Sequence, residues 1–339
     1  MQSRWFIRTI QSGGQLSEDY RMAILGNNTA GRALPNIGFF ASQSWTPPYS
    51  MQAYVYVVGG GGSGAATQHS SSNRSTGGGA GGCAVSLLTL LSSVAYTISI
   101  GAGGARKQST LAGAAGSSSS FSGSGITTMS AFGGIGGVSA SSGTATGAAG
   151  GAASGGNICN NTGGAGGDCS NANYNVSGGG GVGLWSTGNK GGAGTSNGFQ
   201  SAAGGMLNYP TGALVTGTDY TNSPYNGKSA KPTMAPFDII SNYAPQANLL
   251  DSGSVSFYGN QQLQAGAFSS AYPYINFTSY GQVPASPFQG GASFCASGTT
   301  PCFAGAGGLG AGGGASYGST VISGAGGDGA VLIFPVDMV

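Results

Sequence analysis

The sequence predicts an all-β, irregular protein. Its glycine-rich body is made of short strands and packed polyglycine II-like segments, interrupted by a Pro/Tyr-rich loop-and-strand insert. Three observations predict this. Glycine supplies 70 of 339 residues, against about 7% in average usage. Only 5% of residues are charged while 39% are hydrophobic. Glycine also weakens a helix by about 1 kcal/mol per residue, which excludes an ordinary helical enzyme.

The same composition limits function. A charge-rich disordered tail is excluded, because such tails combine low hydrophobicity with high net charge and this chain carries +2. A nucleic-acid binder needs a clustered basic footprint, and the ten Lys and Arg residues are scattered. Collagen requires Gly at every third position, a register that Gly59, Gly60, Gly61, Gly62 and Gly64 break. A Gly/Ser linker would not be threaded with Leu, Val, Ile, Tyr and Phe over hundreds of residues. What remains is a set of close-packed extended glycine chains, as strands or as polyproline II-like helices. Such helices have no internal hydrogen bonds, so their N–H groups must bond to neighbouring chains.

Glycine density divides the chain into four parts. Residues 1–48 hold five glycines and six of the 18 charges, and read as an N-terminal attachment segment. Residues 49–205 hold 43 glycines and form the first part of the body. Residues 206–303 hold only ten and form the insert, and residues 304–339, with twelve, close the body.

Within 1–48, WFIRTI at 5–10 suits a short strand. Ser17 caps a short helix over SEDYRMAIL, with Glu18 and Asp19 at the positive end of its dipole and Gly26 ending it. No heptad is visible, and a solvated arm is the alternative reading. No apolar run follows Arg4 and Arg8, so the segment is not read as a secretory signal. The uncharged run AVSLLTLLSSVAYTISI at 84–100 approaches the lower length limit of a membrane span. Its Ser92-Ser93 pair splits it, and two adjacent strands are expected, in a soluble assembly component.

The body opens with QAYVYVV at 52–58 and closes with an apolar strand at 330–334, which are expected to pair. Between them, clusters of six or seven glycine-rich residues would each span roughly 20 Å as polyproline II and stack as a bundle of rods. The insert holds nine of the 13 prolines and 15 of the 32 aromatic residues. Tyrosine offers a large amphipathic contact area at low entropic cost. Tyr258, Tyr272, Tyr274 and Tyr280 are therefore the candidate receptor-binding residues, the alternative being that such rings form the insert's own core.

Five cysteines stand at 83, 159, 169, 295 and 302. The odd number argues against a complete disulfide framework, and the spacing with a single His69 argues against zinc. Cys295 and Cys302 either close a small loop or are buried free thiols.

The order of elements carries a resemblance: WTPP at 45–48, QAYVYVVGGGGSG, GGGAGGCAVSLLTL, YTISIGAGG, repeated GGxGG runs, and finally GAGGDGAVLIF. Over 45–205 and 304–334 this resembles the glycine-rich domain of bacteriophage tail-fibre and adhesin proteins. The resemblance implies polyglycine II helices packed into a sandwich with variable loops displayed at the distal end, the insert standing where such a recognition segment would sit. It implies a non-enzymatic virion protein, a tail fibre or tip adhesin. Its expected partners are other virion proteins through 1–48, a host cell-surface glycan or outer-membrane protein through the insert, and further copies of the same chain, with a trimer favoured. No cofactor, metal, nucleic acid or membrane insertion is expected. A purely structural virion fibre or capsid decoration protein, a polysaccharide depolymerase, and an ice-binding or cell-wall protein are the competing readings.

Several apparent motifs carry little weight. G-x-G-x-x-G at 305–310 arises readily by chance at this glycine content. GLWSTGNK at 183–190 has Asn189 where a P-loop needs Lys. GGAGGDCSN at 163–171 resembles a calcium nonapeptide, but Asp168 is its only carboxylate. A Ser-His-Asp site would have to use His69. A glycosidase pair would come from Glu18, Asp19, Asp168, Asp219, Asp238, Asp251, Asp328 and Asp337, for which turn capping is the plainer role.

Overall fold

A computed structural model describes residues 23–25, 36–68, 74–169, 175–177, 179–184, 187–188, 190–191, 288, 290–291 and 302–338. Every regular element among them is a strand, so the all-β expectation holds. The opening strand β4 (Met51–Val58) is rich in β-branched and aromatic residues that suit a pleated surface. It lies between β7 (Cys83–Leu90) and β18 (Ala330–Met338), both antiparallel to it, with Val58 opposite Cys83 on one side and Ala330 on the other. The opening and closing strands therefore pair, as expected. Register shifts between Pro335 and Asp337, where proline has no N–H to give the ladder.

The first sheet is completed by β1 (Ala23–Leu25), β2 (Asn36–Phe39) and β13 (Cys159–Asn161), in the order β1-β2-β18-β4-β7-β13. This corrects part of the helix expected over 17–25. Ala23–Leu25 is strand, with Ala23 opposite Gly38 and Leu25 opposite Asn36. Pairing with an existing sheet edge overrides a weak local helix preference. Residues 17–22, and the strand expected at 5–10, lie outside the described residues. The run at 84–100 does break at Ser92-Ser93 into two strands, β7 and β8 (Tyr96–Ser99), but they join different sheets.

In the second sheet β8 lies between β3 (Gln43–Trp45) and β9 (Ser119–Ser122), and β10 (Met129–Ala131) and β12 (Ala153–Ser154) follow β9. Alternation is strict. Trp45, Tyr96, Ile98, Phe121 and Met129 point inward onto Met51, Val55, Val57, Val331 and Ile333 of the first sheet. Tyr96 stacks on Phe121 with centroids 5.2 Å apart. Fully burying each large apolar side chain stabilises the sandwich by about 1.5–3 kcal/mol. A second apolar cluster covers the other face of the first sheet, where Val182, Leu184 and Phe288 pack on Tyr56, Val58, Val85 and Leu332.

Where the strands end, the same chains continue as glycine rods. Along 59–64 the N–H donors go in turn to the carbonyls of Gly82, Ser117, Gly327, Gly79, Ala114 and Gly324, at 2.8–3.0 Å. Partners recur every third residue and step backwards by three. This is the signature of a three-residue helical turn bonded to three antiparallel neighbours. Carbonyls of the same rod accept from Gly104, Gly134, Gly137 and Gly313. Rod 59–65 is thus enclosed by rods 76–82, 132–138, 111–117, 101–104, 324–327 and 310–316. Rod 76–82 is enclosed in the same way, with further neighbours at 147–152, 163–167 and 179–182, and so is rod 310–316, with further neighbours at 179–182, at Gly291 and at 304–308. The arrangement is a patch of hexagonal lattice with every inner amide direction used.

At its inner glycine positions this lattice has no room for a side chain. A Cβ on Gly61 would stand 1.9 Å from the Ala311 carbonyl oxygen, and one on Gly79 would stand 2.0 Å from that of Ala149. The few inner hydroxyls take up amides: Ser63 Oγ accepts from Ala114 N–H, Thr76 Oγ1 from Val138 N–H and Ser119 Oγ from Gly101 N–H, at 2.7–2.9 Å. At the far end of the bundle the rods close with short pairings. These are β5 (Ala66–Gln68) with β16 (Ser316–Gly318), β6 (Arg74–Ser75) with β11 (Ser139–Ala140) and β14 (Asn175–Val176), and β15 (Cys302–Phe303) with β17 (Val321–Ile322).

Candidate functional site

The chain is built into the bundle up to Gly191, before the insert, and again at Phe288, within it. Rod 162–167 follows β13 and runs away from the sandwich, and rod 188–191 runs parallel to it. Gly188 donates to Thr162 and Gly191 to Ala165, each at 2.8 Å, so the chain heads for the far end as it passes Gly191. It is next described at Phe288, which is fully buried in the apolar cluster beneath the first sheet and accepts a hydrogen bond from Val182 N–H at 2.9 Å. Gly291 then bridges two rods, accepting from Gly179 and donating to Gly312. Phe288, Gly290, Gly291, Cys302 and Phe303 are the described part of 206–303, and Phe288, Gly291 and the β15 residues are built into the rod lattice and its end pairings. The candidate residues Tyr258, Tyr272, Tyr274 and Tyr280 lie outside the described residues. So do His69, Cys295, Glu18, Asp19, Asp219, Asp238 and Asp251.

The ionisable groups around the chain exit have structural employment. Asp168 accepts from Gly147 N–H at 2.8 Å through Oδ1 and pairs with Lys190 through Oδ2. Partial burial pushes its carboxyl up, but the Gly147 amide and the Lys190 ammonium outweigh this and hold it below the usual carboxylate range. The pair ties rods 147–152, 162–168 and 188–191 together. It also takes the carboxylate of the calcium-like stretch and the lysine of the P-loop-like one. Asp328 likewise accepts from Gly103 N–H at 2.7 Å. Both carboxylates therefore cap glycine amides. The G-x-G-x-x-G stretch is internal too, since Gly307 donates to Ala325 and Gly310 to Asp328 O; those amides are not offered to a phosphate.

Cys83 and Cys169 are buried free thiols and Cys159 is half-buried. Burial pushes all three thiols up, Cys169 to about 12, so thiolate chemistry is suppressed. Among the described residues no group of three metal-ligating side chains is present, and no helix is long and apolar enough to cross a membrane.

One feature escaped the sequence reading. Phe132, Ile135 and Val138 are 49%, 54% and 42% exposed, on a single outer rod. The signal was in FGGIGGV at 132–138: in a three-residue turn, side chains three apart share one face. In FGGIGGV the recurring large residue marks an outer face, whereas the residue between the glycine pairs of the enclosed rod 78–82 is the small, fully buried Ala80.

Compared with known families, residues 39–334 match the model of a glycine-rich domain. The match spans most of the chain, which belongs to that glycine-rich domain family. A comparison with curated proteins gave no match.

Proposed function

We propose that this protein is a non-enzymatic bacteriophage virion protein, a tail fibre or tip adhesin, that contacts the host surface through the insert. The supporting observation is the way the bundle frames the insert. The chain is hydrogen-bonded into the lattice up to Gly191 and again from Phe288. The segment between can vary without breaking the lattice, as binding loops on rigid scaffolds do. That segment holds Tyr258, Tyr272, Tyr274 and Tyr280, whose flat amphipathic rings suit a glycan or an outer-membrane protein loop. Residues 1–48 join the subunit to other virion proteins through the part that precedes β2, since Ile37, Phe39 and Trp45 are built into the core of the sandwich.

The experiment is to excise 206–284, join the ends with a short Gly/Ser linker, and keep Phe288–Gly291 in place. The expected result is a folded subunit that assembles into particles which no longer adsorb to cells. Adsorption at the normal rate would place the receptor site elsewhere and leave a structural virion protein as the reading. Release of sugars from host polysaccharide by the intact subunit would replace adhesion with depolymerisation.

A further inference from the structure

We propose that the outer face of the second sheet and of the rods that continue it is an assembly surface, and that its occupant is the same face of a second copy of this chain. On the bundle half, Phe132, Ile135 and Val138 form one ridge, exposed by 42–54% and repeating about every 9 Å along a rod rising 3.1 Å per residue. An apolar row of this kind, rimmed by small and polar residues, is the form that interaction surfaces take. The rods on either side carry small outward residues beside the ridge, Ala115 on one and Ala149 and Ala152 on the other, all exposed, with Leu111, 52% exposed, at the start of the first. The ridge is thus bordered by shallow troughs. Under a two-fold axis the ridge of one copy enters the trough of the other, which is the self-complementarity that an isologous interface requires.

Charge points to the same occupant. From Gln108 to Gly167, the stretch that supplies most of this face, there is no Asp, Glu, Lys or Arg, whereas a well-solvated surface is about 25–35% charged. Within that stretch nothing repels an identical face and nothing offers an ion pair to a charged partner; the nearest charges, Arg106, Lys107 and Asp328, lie at its border with rod 101–104. On the sandwich half the ridge gives way to outward Ser44, Thr97, Ser99, Ser120, Ser130 and Ser154, uncharged groups that can donate and accept equally well to their own copies. Four to five chains about 4.8 Å apart and roughly 35 Å long present on the order of 700 Å², close to the ~800 Å² per partner of a standard interface. The described residues of 179–184, 188–191 and 288–291, which lead into and out of the insert, bond to neither 111–117 nor 132–138. The face therefore stays clear of those rods.

The test is sedimentation velocity on the full chain at micromolar concentrations. The wild type is expected to form dimers or higher even oligomers, in place of the trimer read from the sequence. Ile135→Glu combined with Phe132→Ser should give monomers with an unchanged melting temperature, since both side chains lie outside the lattice. Leu91→Glu, at a 43% exposed leucine in the turn after β7, should leave the oligomer intact. A monomeric wild type, or an oligomer that survives the double change, overturns the proposal. Ile135→Cys gives a reading independent of that variant's folding: mild oxidation should link two copies through residue 135. An oligomeric chain that does not link there has its interface elsewhere. The readout here is assembly and that of the insert excision is adsorption, so the two proposals fail separately.

Discussion

The amide of Gly62 donates to the carbonyl of Gly79 at 2.8 Å, and one turn earlier Gly59 donates to Gly82 at 3.0 Å. Two rods joined in this way stand too close for any side chain between them. Glycine here is a requirement of distance between chains.

A change at Gly180 tests this directly. A Cβ there would meet the Gly164 carbonyl oxygen at 2.0 Å, and a backbone atom cannot swing aside. Gly180→Val is expected to cost about 3 kcal/mol or more, at or above the usual range for overpacking, and to lower the urea midpoint and melting temperature. Ala149→Val, on an outward position of an outer rod, should change either by little. Equal effects at the two sites would mean that the bundle does not pack as a lattice.

The ion pair between Asp168 and Lys190 gives a pH dependence of known sign. The folded carboxyl lies below its ordinary value. Its stabilisation is therefore present above the unfolded value, about 4, and is lost as pH falls through the folded one. Asp168→Asn should flatten the acid limb of stability against pH. At neutral pH it should cost less than about 1 kcal/mol, because both side chains are nearly half exposed and solvent screens such pairs. Urea titrations at pH 7 and below about pH 4 measure both numbers.

Thiol accessibility should follow burial. Among Cys83, Cys159 and Cys169, only Cys159 should react with a maleimide in the native state, and slowly, because its thiol is pushed up by burial. Cys83 and Cys169 should react only on unfolding. Mass mapping of labelled peptides before and after denaturant distinguishes the three.

Circular dichroism should show little α-helix. A content above about a fifth, against the roughly one-third of average globular domains, would contradict the strand-and-rod architecture.

Much of the architecture was legible in the residues. QAYVYVV and AVLIF announced their strands through β-branched and aromatic character, and the Ser92-Ser93 break was readable from composition. The rods were legible as a class, because a glycine chain has no other way to bury its amides. Their mutual arrangement was not. Which rod Gly61 meets is decided by a lattice that relates residues 59, 82, 117 and 327, and glycine offers no side chain to mark its partner. The helix read at 17–25 failed at Ala23–Leu25 because a sheet edge at Asn36–Phe39 competed for the same backbone. The tyrosines proposed to bind a receptor remain a reading of composition, since they fall outside the described residues.

The bond from Gly61 to Gly327 bears on how the chain is made. The innermost rod appears early in synthesis, yet one of the walls around it is made more than 250 residues later. A nascent chain cannot complete its lattice until residues 324–327 have left the ribosome, and contacts this distant in sequence form slowly. A chain truncated before residue 324 would lack a whole wall of the bundle, so the lattice closes only once translation has passed that point.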